Sequence, residues 1–196
     1  MMGLGYKNDG VALITGLMIR DFNLLATTEP HSRSEACSEL WMLLRAVGDE
    51  TPAVDRSPVK GLITARTNLD PLEAIGRLRT ELREDPDRFR VLLRVIPVEA
   101  RVQTDLNGIA KTAEKMAERI GEAESFRITV EKRRTDLRSL EVIDAVAEGI
   151  DRRVDLDEPD WIVLVEIVGR VTGISVIRPE GLLNVQKERA GLSTER

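Results

Sequence analysis

Apolar and polar positions follow no regular period until Phe22. Residues 1–21 include Gly3, Gly5, Asn8, Asp9 and Gly10 and read as an extension, with Met18 as the expected natural start. Phe22-Asn23-Leu24-Leu25-Ala26-Thr27 then forms a strand pattern stopped by Glu29-Pro30. Ser32 and Glu35 make an S-x-x-E capping box. The helix behind it sets Leu40, Leu43, Leu44 and Val47 on one face before Gly48. A loop with Pro52 and Pro58 leads to a second strand, Val59 to Arg66. Asp70, Pro71 and Glu73 open the next helix, with a stripe of Leu72, Ile75, Leu78 and Leu82 and a stop at Pro86. Phe89 to Ile96 is again a strand, with Phe89, Val91, Leu93 and Val95 on one face and Arg90 and Arg94 on the other.

A second block starts near Thr104. Leu106, Ile109, Ala113, Met116 and Ile120 recur at helical spacing up to Gly121. Phe126 to Glu131 alternates strictly, a strand with one buried face, and Lys132-Arg133-Arg134 follow at its end. Ser139 caps a helix whose expected core face is Leu140, Ile143, Ala147 and Ile150. A polar turn from Asp155 to Asp160 runs into Trp161 to Val168, apolar on both faces except at Glu166, the pattern of a central covered strand. Gly169-Arg170 turns the chain into a hairpin partner, Val171 to Ile177, and Gln186 to Arg196 reads as a frayed tail. The pattern predicts an α/β (α+β) fold. It has a ferredoxin-like domain over residues 22–103, a second domain over 104–180 and a polar tail over 181–196.

Composition removes several classes. A chain of 196 residues, 42% hydrophobic and 32% charged, can bury a core in one ordinary domain or two small ones. Its one Cys cannot form an intrachain disulfide, and one Cys with one His does not build the usual zinc site. No apolar run approaches the roughly 20 residues that cross a bilayer. The run Val11 to Ile19 is broken by Thr15 and Gly16 and lacks an A-x-A cleavage site, so no signal peptide is expected and the reading is cytoplasmic. Three Phe, two Trp and one Tyr are too few for a base-stacking platform; any RNA contact must run through phosphate, 2′-hydroxyl and shape.

The net charge of −5 argues against coating nucleic acid by bulk charge, yet it conceals a polar distribution. Residues 126–138 carry five basic and two acidic side chains, a balance of +3, whereas residues 139–168 carry two basic and nine acidic ones, a balance of −7. The basic stretch lies at a strand end before a helix N-terminus, where backbone amides also favour anions. It reads either as a phosphate site or as a solvated basic loop. Asp155, Asp157, Glu158 and Asp160 have the types for acid–base work or magnesium, but their spacing is not that of an EF-hand, and a polar turn is simpler. His31 has no nucleophile partner in the sequence, Cys37 reads as a packing residue, and Trp161 as core or rim. Arg170 to Ser175 approximates the R-x-x-G-x-G/A acyl-CoA loop, but it ends in Ser and strand-like residues follow, so the match reads as coincidence. No catalytic residue, metal or cofactor is expected.

The second block resembles the THUMP domain. The likeness rests on Phe126-Arg-Ile-Thr-Val-Glu-Lys-Arg-Arg134, the helix from Ser139, and Val154-Asp-Leu-Asp-Glu-Pro-Asp-Trp-Ile-Val-Leu-Val-Glu166. The Asp70-Pro71-Leu72-Glu73-Ala74 helix start and the Phe89 strand resemble the N-terminal ferredoxin-like domain that accompanies THUMP, so the likeness covers about residues 22–180. It implies an RNA-binding protein that holds the tRNA acceptor end and its 3′ tail. No fused catalytic domain is recognised in the sequence, and the layout looks most like a stand-alone adaptor presenting tRNA to a separate acetyltransferase that forms acetylcytidine. The resemblance maps RNA contact onto Lys132, Arg133 and Arg134, with Arg138 close by and Arg94, Arg101 and Lys111 of second rank. It gives Asp155, Pro159 and Asp160 a structural role. The alternatives are a small acyl-CoA- or metal-dependent enzyme and a THUMP-derived protein-interaction module.

Overall fold

The computed structural model describes residues 21–194; Met18 and the rest of residues 1–20 lie outside the described residues. The first unit runs β1 (Leu24–Thr28), α1 (Arg33–Ala46), β2 (Ala53–Arg56), β3 (Leu62–Arg66), α2 (Pro71–Glu84) and β4 (Leu92–Pro97). Its strands stand in the order β4-β1-β3-β2, all antiparallel, the ferredoxin-like βαββαβ arrangement. Asp70 starts α2 as its sequence predicts, accepting from the Leu72 and Glu73 N–H groups at 2.9 and 3.0 Å.

Three local expectations shift. Ser32 holds the N-cap of α1 but makes no side-chain capping bond. Its backbone (φ −94°, ψ 10°) is not the extended conformation that swings a hydroxyl over the first turn. The segment between Pro52 and Pro58 contains β2, because an edge strand needs a partner on one side only. The strand expected from Phe89 begins at Leu92. The buried Glu39 carboxylate takes the N–H groups of Arg90, Val91 and Leu92 at 3.0, 3.0 and 3.1 Å, so a side chain holds the donors that a sheet would otherwise use.

The second unit runs β5 (Ala100–Gln103), α3 (Leu106–Ala117), β6 (Ser125–Arg133), α4 (Ser139–Glu148), β7 (Arg153–Val154), β8 (Trp161–Val168) and β9 (Val171–Ile177). The strand order is β5-β9-β8-β6-β7. β6 is parallel to both neighbours, β8 and β9 form an antiparallel hairpin, and β8 is central, as its apolar run predicts. The expected face of α4 is corrected. Leu140 is 66% exposed, and Val142 and Val146 meet the sheet instead. Both stripes have helical spacing, so period alone does not choose between them.

The polar tail is also corrected. Leu183 and Asn184 form β10, antiparallel to β4, and α5 (Val185–Thr194) follows. Leu183 and Val185 are buried in the first unit's core. Arg79 on α2 clamps the turn before them, donating to Leu182 O at 2.7 Å and pairing with Glu188 at 2.8 Å. Two apolar residues in a polar stretch carry no periodic signal.

The layers stack as helices, sheet, sheet, helices. α1 and α2 cover one face of the first sheet through Leu24, Ala26, Ile63 and Val95, and α3 and α4 cover one face of the second through Val163, Val165, Ile174 and Val176. The two remaining faces meet. Leu25, Leu62 and Ile96 pack with Ile162, Leu164, Val168 and Ile177, joined by Phe22 and Val98. Gly173 keeps this contact close, since a Cβ there would stand 3.0 Å from both Val98 methyls. Among the described residues no helix is long and apolar enough to cross a membrane. Because Leu183 belongs to the core, Leu183→Ala should cost about 2–5 kcal/mol. Urea denaturation checks this, and a loss below about 0.5 kcal/mol would mean that the segment frays.

Candidate nucleic-acid interface

Strand β6 carries the strongest charge signal, and its alternation divides that charge between two faces. Ile128 and Val130 pack beneath the helices, so Arg127, Thr129, Glu131 and Arg133 point to the side of the first sheet. At the strand's end Lys132 donates to Leu137 O at 2.9 Å, which folds residues 132–137 into a tight loop. Arg134 in that loop adopts φ 56°, the left-handed region that few non-glycine residues enter. The N-cap of α4 is Arg138, not Ser139. The Arg138 N–H donates to the Glu141 carboxylate at 3.1 Å, and the Arg138 side chain is 83% exposed.

Arg133 differs from its neighbours. Its guanidinium meets Glu166 at 2.8 Å, and Glu166 is the one charged residue of the central strand, buried between Leu164 and Val168. Burial pushes the Glu166 carboxyl above its ordinary range. Arg133, by its charge and its hydrogen bond, pulls it back, and Arg94 adds a smaller pull. Arg133 is therefore held by the sheet, whereas Lys132, Arg134 and Arg138 face solvent.

The remaining expected residues fall in three places. Arg94, on β4 with its neighbour Ile96 in the inter-sheet core, lines a cleft of about 1030 Å³ where the two sheets diverge. Arg127, Thr129 and Leu164 line the opposite wall. Arg101 lies elsewhere. It donates to Phe22 O at 2.7 Å and pairs with Asp21, so it ties β5 to the start of the first unit. Lys111 lies on the outer face of α3, beside a shallow depression with Lys115 and Arg119, on a different element from the β6 end.

The structure adds Arg83 and Lys187 to the cleft. They come from α2 and α5, and no local motif links them to Arg94 or Arg127. None of Arg83, Arg94, Arg127 and Lys187 pairs with a described carboxylate within 4 Å, although Asp157, Glu158, Glu180 and Glu188 also line the cleft; Arg127 donates to Leu156 O at 3.3 Å and its Nε is buried without an acceptor. Guanidinium groups without a carboxylate partner that open on one cleft suit phosphate oxygens.

The competing chemistries lose their geometry. Asp155 Oδ1 accepts from Asp157 and Glu158 N–H at 3.1 and 3.0 Å, and Asp160 Oδ2 takes Ser125 N–H at 2.7 Å and its hydroxyl at 2.8 Å. These bonds to Ser125, backbone first, hold the Asp160 carboxyl below its ordinary range. The turn is thus a capped connection, in line with the structural role of Asp155 and Asp160. Residues 171–175 lie inside β9, so the acyl-CoA-like string opens no helix. Cys37 is half-buried in α1 and burial pushes its thiol up, the state of a packing residue. Trp161 stands at the rim. Its indole N–H donates to Glu124 at 2.7 Å and the Arg178 guanidinium lies 4.0 Å above the ring.

The Arg133–Glu166 pair generates a stability prediction. Arg133→Met leaves a buried carboxylate without its partner and should cost about 3 kcal/mol at pH 7, at the low end of such losses because Arg133 reaches solvent. The Glu166 carboxyl, already raised, moves further above its unfolded value in that variant. The folded state then holds the proton over a wider window, so stability falls as pH rises and recovers as pH is lowered. Urea denaturation at pH 7 and pH 5 checks the sign. Adding Glu166→Gln should restore stability and flatten the pH dependence.

Comparison with known proteins agrees with this fold. Residues 103–177 match the model of the THUMP domain family. Among solved structures, the chain is similar to PH1313 from Pyrococcus horikoshii Ot3, at 22% identity and a TM-score of 0.57, over 80% of this chain and 55% of that one. It is also similar to TrmN from Thermus thermophilus, at 23% identity and a TM-score of 0.51, over 80% of this chain and 46% of that one. The chain thus spans about half the length of the structures it resembles, and the likeness is one of fold. No curated protein matches the sequence. Residues 103–177 of this chain, which carry the basic end of β6 and one wall of the cleft, are a THUMP domain.

Proposed function

We propose that the protein is a non-catalytic RNA-binding adaptor in tRNA modification. It holds the acceptor end and 3′ tail of tRNA and presents it in the cytoplasm to a separate enzyme, the acetyltransferase that forms acetylcytidine. One observation carries the reading. The THUMP domain and the ferredoxin-like unit enclose a cleft whose cations, Arg94 and Arg127 on its two walls with Arg83 and Lys187, have no described carboxylate within 4 Å and can meet a phosphodiester chain. Lys132, Arg134 and Arg138 offer further phosphate contacts at the other end of β6. Six aromatic residues, with Phe22, Phe89 and Phe126 buried in the core, leave little for base stacking, so recognition rests on phosphate, 2′-hydroxyl and shape.

If about four phosphates are engaged, log affinity should fall with log salt at a slope of roughly −3 to −4, using the duplex coefficient. Arg94→Glu with Arg127→Glu should weaken tRNA binding at low salt by at least about tenfold, since charge-assisted bonds are the strong ones. Filter binding measures both. Unchanged affinity would remove the cleft from the site, and saturable stabilisation by acyl-CoA in a thermal shift assay would favour an enzyme instead. Affinity purification with and without nuclease would show whether tRNA and an acetyltransferase travel with the chain.

A further inference from the structure

Among the described residues, none pairs with the outer edge of β6 beyond its first two positions. β7 pairs only with its first two residues, Ser125 with Arg153 and Phe126 with Val154, and the chain leaves the sheet after the Asp155 N–H bonds Phe126 O at 3.0 Å. β6 continues to Arg133 with β8 on its inner side alone. The direction of the free groups follows from two bonds. The Phe126 carbonyl points outward to Asp155, while the Arg133 carbonyl points inward, accepting from Gly169 N–H at 2.9 Å. Alternation then sends the N–H and C=O of Ile128, Val130 and Lys132 outward, where no described residue bonds them. Sheet proteins ordinarily blunt such an edge with proline, a bulge or a covering element. Here Ile128, Thr129 and Val130, all strong strand formers, lie along it.

The side chains around this edge select its occupant. At one end stand the solvent-facing Lys132, Arg134 and Arg138; at the other, Val154 and Leu156 are 56% and 69% exposed. A second copy is a poor fit, because antiparallel pairing of two β6 strands about Val130 sets Arg127 opposite Arg133 twice, while the one carboxylate each strand brings, Glu131, falls opposite Thr129 and not opposite a cation. RNA can meet the cations, and its 2′-hydroxyls can donate, but it has no row of donors alternating with acceptors at the spacing of a strand edge. An extended polypeptide supplies both the alternating donors and acceptors and, with acidic residues, the opposite charge.

We propose that the outer edge of β6 is a docking strand for an extended acidic segment of a partner protein, which joins the second sheet through Ile128, Val130 and Lys132 and sets its carboxylates against Lys132, Arg134 and Arg138. This partner site is separate from the cleft and competes with RNA only for Lys132, Arg134 and Arg138. The test uses the whole chain and a blocked ten-residue peptide alternating valine with glutamate, read by amide hydrogen exchange. In the free protein the Ile128, Val130 and Lys132 amides should exchange at least tenfold faster than those of Thr129, Glu131 and Arg133, which bond β8. The peptide should protect the three outward amides at least tenfold, and a peptide with lysine replacing glutamate should not. Val130→Pro removes an outward donor while keeping every charge and every β6–β8 bond, so it should abolish peptide binding and leave tRNA affinity unchanged. Should that variant fail to fold, Lys132→Glu with Arg134→Glu must weaken the acidic peptide at least tenfold. The proposal is overturned if the outward amides are already protected, if the acidic peptide does not bind or binds without protecting them, or if an RNA oligonucleotide protects them equally.

Discussion

The face-to-face contact of the two sheets is the constraint on which the rest of the structure depends. Each sheet is apolar on both sides, and its helices cover only one of them. Left alone, either unit would present Leu25, Leu62 and Ile96, or Ile162, Leu164 and Ile177, to water. Burying one such side chain is worth about 1.5–3 kcal/mol, so the two units gain strongly by meeting. That contact also fixes the cleft. Apolar side chains hold the sheets together up to Leu164, and beyond it Arg94 and Arg127 replace them on the two walls. Neither arginine has a described carboxylate within 4 Å, and with Asp157, Glu158, Glu180 and Glu188 they make the lining polar where the apolar core ends.

Glu166 marks the boundary between these regimes. It sits on the inward row of β8 with Leu164 and Val168 and carries a charge that burial opposes. Arg133 supplies the compensation from the neighbouring strand. A strand ending in three consecutive basic residues therefore assigns them different tasks through its pleat. Lys132 closes the loop before α4, Arg133 neutralises the interior, and Arg134 faces water at the turn. A basic triplet read as one patch is, in three dimensions, one arginine paired inside the sheet between two exposed cations, of which Lys132 also holds the loop.

Much of this fold is legible in the order of apolar positions. The strands at Phe22, Phe126 and Trp161 and the helices after Asp70 and Thr104 stand where periodicity puts them, because each buries a face long enough to repeat. Elements that bury only one or two residues escape. β2 and β5 are four residues long, and β10 rests on Leu183 against Val95. The face of α4 escapes for another reason: Leu140 and Val142 both fit a helical stripe, and only the sheet decides between them. The site divides likewise. The β6 end is a local run, visible in the sequence, whereas the cleft assembles Arg83, Arg94, Arg127 and Lys187 from four elements that only the folded layers bring together.

Arginine content is accordingly a weak index of anion binding in this chain. Of the basic residues, 23 are Arg and six are Lys, and many of the arginines clamp backbone carbonyls. Arg33 donates to Ser57 O, Arg101 to Phe22 O, Arg152 to Ile120 O and Arg189 to Phe89 O. Each of these reaches from one element to the end of another, where helix and strand termini leave acceptors that the ladder does not use. A planar, multiply donating group can span such a gap and keep part of its surface in water. The net charge of −5 points the same way, since carboxylates outnumber the basic side chains. Arg101 and Arg133, each bonded to a carboxylate, belong to the scaffold. Arg94 and Arg127 line the cleft without a described carboxylate within 4 Å, and Arg127 keeps one bond of its own, to Leu156 O at 3.3 Å.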